Sequence, residues 1–257
     1  HPVEHYGPQM KEITPSINLT VDNSIATITL NVPERHNSLS GEDIAIFISH
    51  LETVSCSNDN RVLIITGAGQ KTFCAGAALD QLSNGQLNGD LFTDLTDKIA
   101  AVDIPTVCIF NGSAYGGGTE IGLACDFRVG FATMKLFVPP ARIGLCYPVR
   151  GIERFVRVLG INTAKRMLVA SEDFSGNELM DIGYLTHLVD KDSVHTRGLV
   201  LAQRMSGYAP MAVKAMKSLC NQSVHGIQDF ENAYRIAANC NSSAHLKEGL
   251  AAMKDKR

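Results

Sequence analysis

The sequence predicts an α/β core joined to an all-helical C-terminal region, and three observations carry that prediction. Apolar, β-branched runs alternate with segments of helical periodicity through most of the chain. Two of the runs, residues 62–66 and 106–110, each lead into a glycine-containing turn, the two turns lying about forty residues apart. From about Asp192 onward the strand signals stop and only helical patterns remain.

Taken in order, residues 17–21 and 25–30 flank Asp22-Asn23-Ser24 with alternating β-branched residues, which predicts a hairpin. Ser40, with Asp43 three positions on, reads as the N-cap of a helix carrying Ile44, Phe47, Ile48 and Leu51 on one face. The strand at 62–66 precedes the first turn, Phe73-Cys74-Ala75-Gly76-Ala77-Ala78-Leu79. Residues 83–89 read as an exposed loop. Leu91, Leu95, Ile99 and Val102 predict a helix before Pro105. The strand at 106–110 leads into the second turn, Asn111-Gly112-Ser113-Ala114-Tyr115-Gly116-Gly117-Gly118-Thr119-Glu120, with Ile121, Leu123 and Ala124 at helical spacing behind it. Residues 127–130 and 136–138 read as short strands, and 199–205, 211–219, 227–238 and 246–253 as the C-terminal helices.

The 257 residues are 45% apolar and 19% charged, ordinary for a globular protein. A net charge of −3 provides no basic field for nucleic acid and no polybasic membrane patch, leaving only local basic clusters for a small anion. No apolar run is long enough to span a bilayer, and His1-Pro2-Val3-Glu4-His5-Tyr6 has neither the apolar core nor the basic leader of a signal peptide. Seven scattered cysteines form no CxxC pair, so a reduced, cytoplasmic protein is expected. Eight histidines without HExxH spacing give no reason to expect a metal.

Gly67-Ala68-Gly69-Gln70-Lys71-Thr72 lacks the glycine before lysine that a phosphate loop needs, and reads as a turn leaving a strand. The Gly112–Gly118 run does not have GxGxxG spacing, and no serine lies in a GxSxG elbow. Dinucleotide binding and serine hydrolysis are thereby disfavoured. What the two turns do suit is anion stabilisation. Backbone N–H groups from two glycine turns, one opening a helix, can hold one developing oxyanion. Glu120 lies three positions beyond Gly117 on the same helical face, near that site and away from water, where a carboxylate serves as acid or base. The alternative is a first-turn glutamate held by the helix dipole. Tyr147 offers either a phenol to the site or a packed ring with its hydroxyl at the surface. Asp126 is expected to bond backbone after the helix, Arg35 and His36 to form a solvated turn or meet a phosphate, and Lys254, Lys256 and Arg257 to form a solvated tail.

At these residues the chain resembles the crotonase, or enoyl-CoA hydratase/isomerase, superfamily from about Ile17 to the end. The pieces that carry the resemblance are Asn31-Val32-Pro33 with Asn37-Ser38-Leu39, the Cys74-Ala75-Gly76-Ala77 turn, Asn111-Gly112 through Gly118-Thr119-Glu120, Cys125-Asp126, residues 138–151 and Glu248-Gly249-Leu250. The resemblance implies a crotonase-like spiral of ββα turns over residues 17–191 after an N-terminal extension at 1–16. A helical trimerisation region would follow at 192–257, the assembly being a homotrimer or a dimer of trimers. It further implies a coenzyme A thioester as substrate, with no cofactor and no metal. The thioester oxygen would sit between the N–H groups of Ala77 and Gly117, with Arg35, Ala75, Ala77, Leu79, Gly116, Gly117 and Pro140 about the substrate.

In the hydratase pattern two glutamates share the catalytic water. Glu120 matches the first, whereas Pro140 stands at the place of the second and Ala78 at the place of the usual aspartate of the first turn. The spacing of Gly144 and Tyr147 resembles that of acyl-CoA decarboxylases of the superfamily, in which a tyrosine is near the reacting carboxylate. Hydration of a 2-enoyl-CoA is the leading expectation. Isomerisation by Glu120 alone, decarboxylation with Tyr147, and a non-catalytic acyl-CoA binder are the alternatives.

Overall fold

The computed structural model describes residues 14–257. The readings made for residues 1–13, including the absence of a signal peptide, lie outside the described residues.

The predicted hairpin forms as β1 (Ile17–Asp22) and β2 (Ile25–Leu30), paired antiparallel. α1 (Gly41–Cys56) starts at Ser40, whose side chain accepts from Asp43 N while the Asp43 carboxylate accepts from Ser40 N, closing the capping box. Three rounds of chain then repeat one pattern. β3 (Val62–Gly67) and β4 (Thr72–Cys74) lead to α2 (Leu79–Ser83) and α3 (Gly89–Ala100); β5 (Thr106–Ile109) and β6 (Ser113–Tyr115) lead to α4 (Gly117–Ala124); β7 (Phe127–Phe131) and β8 (Lys135–Phe137) lead to α5 (Val149–Leu159) and α6 (Ile161–Leu168). β9 (Phe174–Ser175), α7 (Gly176–Asp181) and β10 (His187–Val189) complete the core.

Each round places its first strand in a six-stranded sheet of order β1-β2-β3-β5-β7-β10 and its second in a four-stranded sheet of order β4-β6-β8-β9. The result is a spiral of ββα turns. Beyond the hairpin the larger sheet is parallel, aligning Ile28 with Ile65, Ile65 with Cys108, and Cys108 with Arg128. All six residues of β3 are buried, as expected of a parallel strand covered on both faces.

The Gly67–Thr72 turn that resembles a phosphate loop is filled from within. Asn37 Nδ2 donates to Ala68 O (3.1 Å) and Thr72 O (3.0 Å), and Asn111 Nδ2 donates to Gly69 O (3.0 Å) and Thr72 O (3.1 Å). Asp126 bonds backbone as expected, accepting from Thr106 N at 2.8 Å. The exposed loop expected at 83–89 forms, narrowed to 84–88 and exposed there except at Leu87. Ser83 ends α2, Gly89 begins α3 with Asn88 as its cap, and Leu87 is buried because the segment folds down onto the core. The helix expected over 227–238 likewise begins at Phe230 rather than Ile227, where the Asp229 side chain accepts from Asn232 N at 2.9 Å.

α8 (Val194–Ser206) lies against the large sheet, with Val194 and Ala202 buried and Gly198 against Ile109. α9 (Pro210–Ser223), α10 (Phe230–Asn241) and α11 (Ala244–Lys254) stand off the core, and Ala233 is the single buried residue among these three helices. No helix among the described residues is long and apolar enough to cross a membrane.

Candidate active site

The first turn leaves β4 at Cys74 and runs beside residues 36–39. Ala75 N donates to His36 O (3.0 Å), Leu39 N to Gly76 O (2.8 Å) and Ala78 N to Leu39 O (2.9 Å). The last two bonds bracket Ala77 in a parallel bridge to Leu39. Its own N–H therefore points away from Leu39, because only the flanking residues bond across such a bridge. Gly76 has φ +85°, a backbone that glycine adopts freely, and a Cβ there would lie 2.7 Å from Gly117 N. The two glycine turns thus abut. Gly117 opens α4, and no side chain caps that helix, so its N–H is one of the free donors at the positive end of the helix. Ala75, Ala77, Gly116 and Gly117 are all half-buried, within reach of solvent.

One turn into α4 the environment closes. Gly117 and Glu120 share a face of α4, Phe92 and Thr96 share a face of α3, and the two faces meet. The Phe92 ring covers Gly117, where a Cβ would come within 2.5 Å of the ring. Thr96 Oγ1 donates to Glu120 Oε2. Glu120 is 0% exposed. Tyr147 donates its phenolic hydrogen to Glu120 Oε1 at 2.7 Å, and Arg154 Nε donates to Oε2 at 3.3 Å. Burial first, and the Glu120 charge second, push the Tyr147 phenol well above its usual range, so it is the neutral donor of the pair. Its ring packs edge-on against Phe155, with centroids 5.5 Å apart. Of the two readings of Tyr147, the structure supports the phenol turned inward rather than out to the surface.

Behind Glu120 the charges alternate outward. Arg154 also bonds Asp97, and Arg150 bridges Asp97 (2.6 Å) and Asp94 (2.7 Å). Phe92, Thr96, Asp97 and Arg154 are absent from the sequence-based expectations. Phe92 and Thr96 leave no sequence signal, and the only trace of Asp97 and Arg154, the spacing of Asp94 with Asp97 at i+3 and Arg150 with Arg154 at i+4, reads as two solvated helix faces until α3 and α5 are brought together.

Other expected residues fall farther from this cluster. Arg35 pairs with the capping-box carboxylate of Asp43, and His36 Nδ1 lies 2.8 Å from Thr72 Oγ1. Leu79 is 73% exposed at the start of α2. Pro140 opens a short 3-10 turn over Pro140–Ile143. In the tail, Arg257 pairs with Glu248 and Asp255. A cavity of about 1050 Å³ opens beneath α9 between α3, α4, α5 and α8. Asp97 and Arg154 form part of its wall, but neither Ala77 nor Gly117 does, so it backs onto the Glu120 cluster without reaching the two turns.

Residues 20–257 match the family model described as enoyl-CoA hydratase/isomerase, and the chain belongs to that family of acyl-CoA enzymes. It is 26% identical to the short-chain-enoyl-CoA hydratase of Clostridium acetobutylicum over 94% of this chain and 95% of that one. It is 28% identical to the crotonyl-CoA hydratase of Syntrophomonas wolfei over 94% and 96% of the respective chains. Its structure is similar to the crystal structure of an enoyl-CoA hydratase from Bacillus anthracis, with a TM-score of 0.86 and 25% identity over 95% of this chain and 97% of the other. The spiral with its C-terminal helices is the crotonase fold.

Proposed function

We propose that the protein adds water to a 2-enoyl-CoA through an enolate held by the N–H groups of Ala77 and Gly117. Glu120 is the acid/base, and Tyr147 is the neutral hydrogen-bond donor that keeps it in place. The observation that carries this reading is the build of α4. A free N–H opens the helix against the Ala75–Ala78 turn, and one turn later a dry carboxylate receives a phenol at 2.7 Å. Preorganised oxyanion donors are worth about 2.7–4 kcal/mol each in the transition state. The thioester supplies its own electron sink, so the scheme uses no metal and no redox cofactor. Arg35, Ala75, Leu79, Gly116 and Pro140 are assigned to the substrate's surroundings on the family pattern. The exposed faces of α9, α10 and α11 suit a homotrimer or a dimer of trimers.

Pro140 favours a second reading, isomerisation of the double bond. Proline transfers no proton, whereas one carboxylate can take a proton from one carbon and return it to another. Assays with crotonyl-CoA, a 3-enoyl-CoA and methylmalonyl-CoA separate the cases. Hydration of crotonyl-CoA supports the first reading and conversion of the 3-enoyl-CoA alone supports the second. Loss of carbon dioxide from methylmalonyl-CoA would assign decarboxylation instead. Acyl-CoA binding with no turnover of any of the three contradicts catalysis.

A further inference from the structure

We infer that Arg154 is a positioning residue for Glu120, fixing Oε2 so that Oε1 faces Tyr147, with Asp97 fixing Arg154 in turn. This rests on the acid/base reading above. Glu120 is wholly buried, where a carboxyl group needs hydrogen-bonding partners to be held in place. Arg154 is the one cation in contact with it among the described residues, and its side chain is itself only 3% exposed. The Arg154 fork is used twice: Nε goes to Glu120, and the terminal nitrogen goes to Asp97. Asp97 sits at the edge of solvent, 41% exposed, where Arg150 grips its other oxygen at 2.6 Å. A rigid guanidinium held at two points sets an orientation that a single ammonium cannot.

The other ionisable groups facing α4 do not substitute for this charge. Cys74 on β4 is pushed up to about 12 by burial, and Cys108 on β5 and Tyr184 beyond α7 are raised for the same reason, so all three are neutral. Tyr147 is neutral as described, and Tyr115 on β6 packs with its ring tilted against Phe137. Arg128 on β7 is spent on the carbonyls of Gly122, Cys125 and Tyr184 at the far end of α4. Among the described residues, the ionic balance at Glu120 is therefore set from α5, with α3 steering it.

The test follows two readouts at one pH in the full-length protein and its Arg154→Met, Arg154→Lys, Asp97→Asn and Glu120→Gln variants. The first is kcat and KM for crotonyl-CoA. The second needs no turnover: the infrared bands of the Glu120 side chain, assigned by their loss in Glu120→Gln. Arg154→Met is expected to lower kcat while KM changes little, and to displace the Glu120 bands because Oε2 loses its guanidinium donor. Arg154→Lys should return less than the whole of kcat, since an ammonium does not reproduce the two-point hold, and Asp97→Asn should displace the bands the same way by less. If Arg154→Met folds with the Glu120 bands and kcat at their wild-type values, the inference is overturned. If Arg154→Met does not fold, unmoved Glu120 bands in Asp97→Asn overturn it. Displaced bands alongside undiminished turnover in Glu120→Gln would uphold the pairing and reject the acid/base reading on which its catalytic meaning rests.

Discussion

Tyr147 and Glu120, 27 residues apart in sequence, meet in the interior through a phenol-to-carboxylate hydrogen bond of 2.7 Å. The bond joins the loop before α5 to the middle of α4, and it fixes which carboxylate oxygen is turned toward the phenol.

Removing that donor tests how much it holds. Tyr147→Phe keeps the ring against Phe155 and deletes only the hydroxyl, leaving a buried acceptor one bond short. We expect a loss of about 1–3 kcal/mol in urea unfolding. A variant as stable as the parent would mean that the bond contributes nothing to the fold.

Gly117 is tied to Phe92 by contact rather than by charge. Gly117→Ala places a Cβ within 2.5 Å of the Phe92 ring, so overpacking should cost about 1–3 kcal/mol. Adding Phe92→Leu should restore part of the loss. A Gly117→Ala protein with unaltered stability and no response to Phe92→Leu would contradict the packing described.

Alkaline stability has a definite sign. Folding raises the Cys74 thiol from 9.0 to about 12 through burial, so between those values the unfolded chain has released a proton that the folded one keeps. Stability must then fall as pH rises through this window, by about 1.4 kcal/mol per pH unit for one such group. Tyr147 and Tyr184 act in the same direction above their ordinary range. Urea unfolding measured from about pH 8.5 to 10.5 should show the decline, and Cys74→Ala should make it shallower. Stability that is flat or rising with pH would count against the buried, protonated thiol.

The C-terminal helices make an assembly prediction. Tyr234 is 72% exposed and Met253 78% exposed, with Met216, Phe230 and Leu250 also bare. We propose that these side chains meet other copies of the chain. Light scattering should give three or six times the chain mass of 27.7 kDa, and the pair Tyr234→Asp, Met253→Asp should lower it. A monomer for the unaltered chain would contradict this.

What the sequence revealed follows from the range of the interactions concerned. Capping at Ser40, the hairpin at Asp22-Asn23-Ser24 and the C-terminal helices are local, and each could be read from neighbouring residues. The placement of Glu120 one turn beyond Gly117, away from water, was legible because that i+3 relation is also local. β4, β6, β9 and β10 run for only two or three residues, too short to show an alternating pattern, and their pairing is fixed by the spiral instead. Thr96 and Arg154 were illegible for a related reason. They reach Glu120 from 24 and 34 residues away, and nothing about a threonine on one helix or an arginine on another says that the two converge on one carboxylate. The buried amides of Asn37 and Asn111 hide likewise behind a turn that imitates a phosphate loop.

The proposed chemistry turns on Glu120, and the most direct measurement is steady-state turnover of the substrate identified by the three-thioester assay, compared between the wild type and Glu120→Gln. The amide keeps the shape of the side chain but cannot exchange a proton, so kcat is expected to fall by about 10²–10⁴-fold with acyl-CoA binding retained. Turnover equal to that of the unaltered enzyme would contradict the assignment.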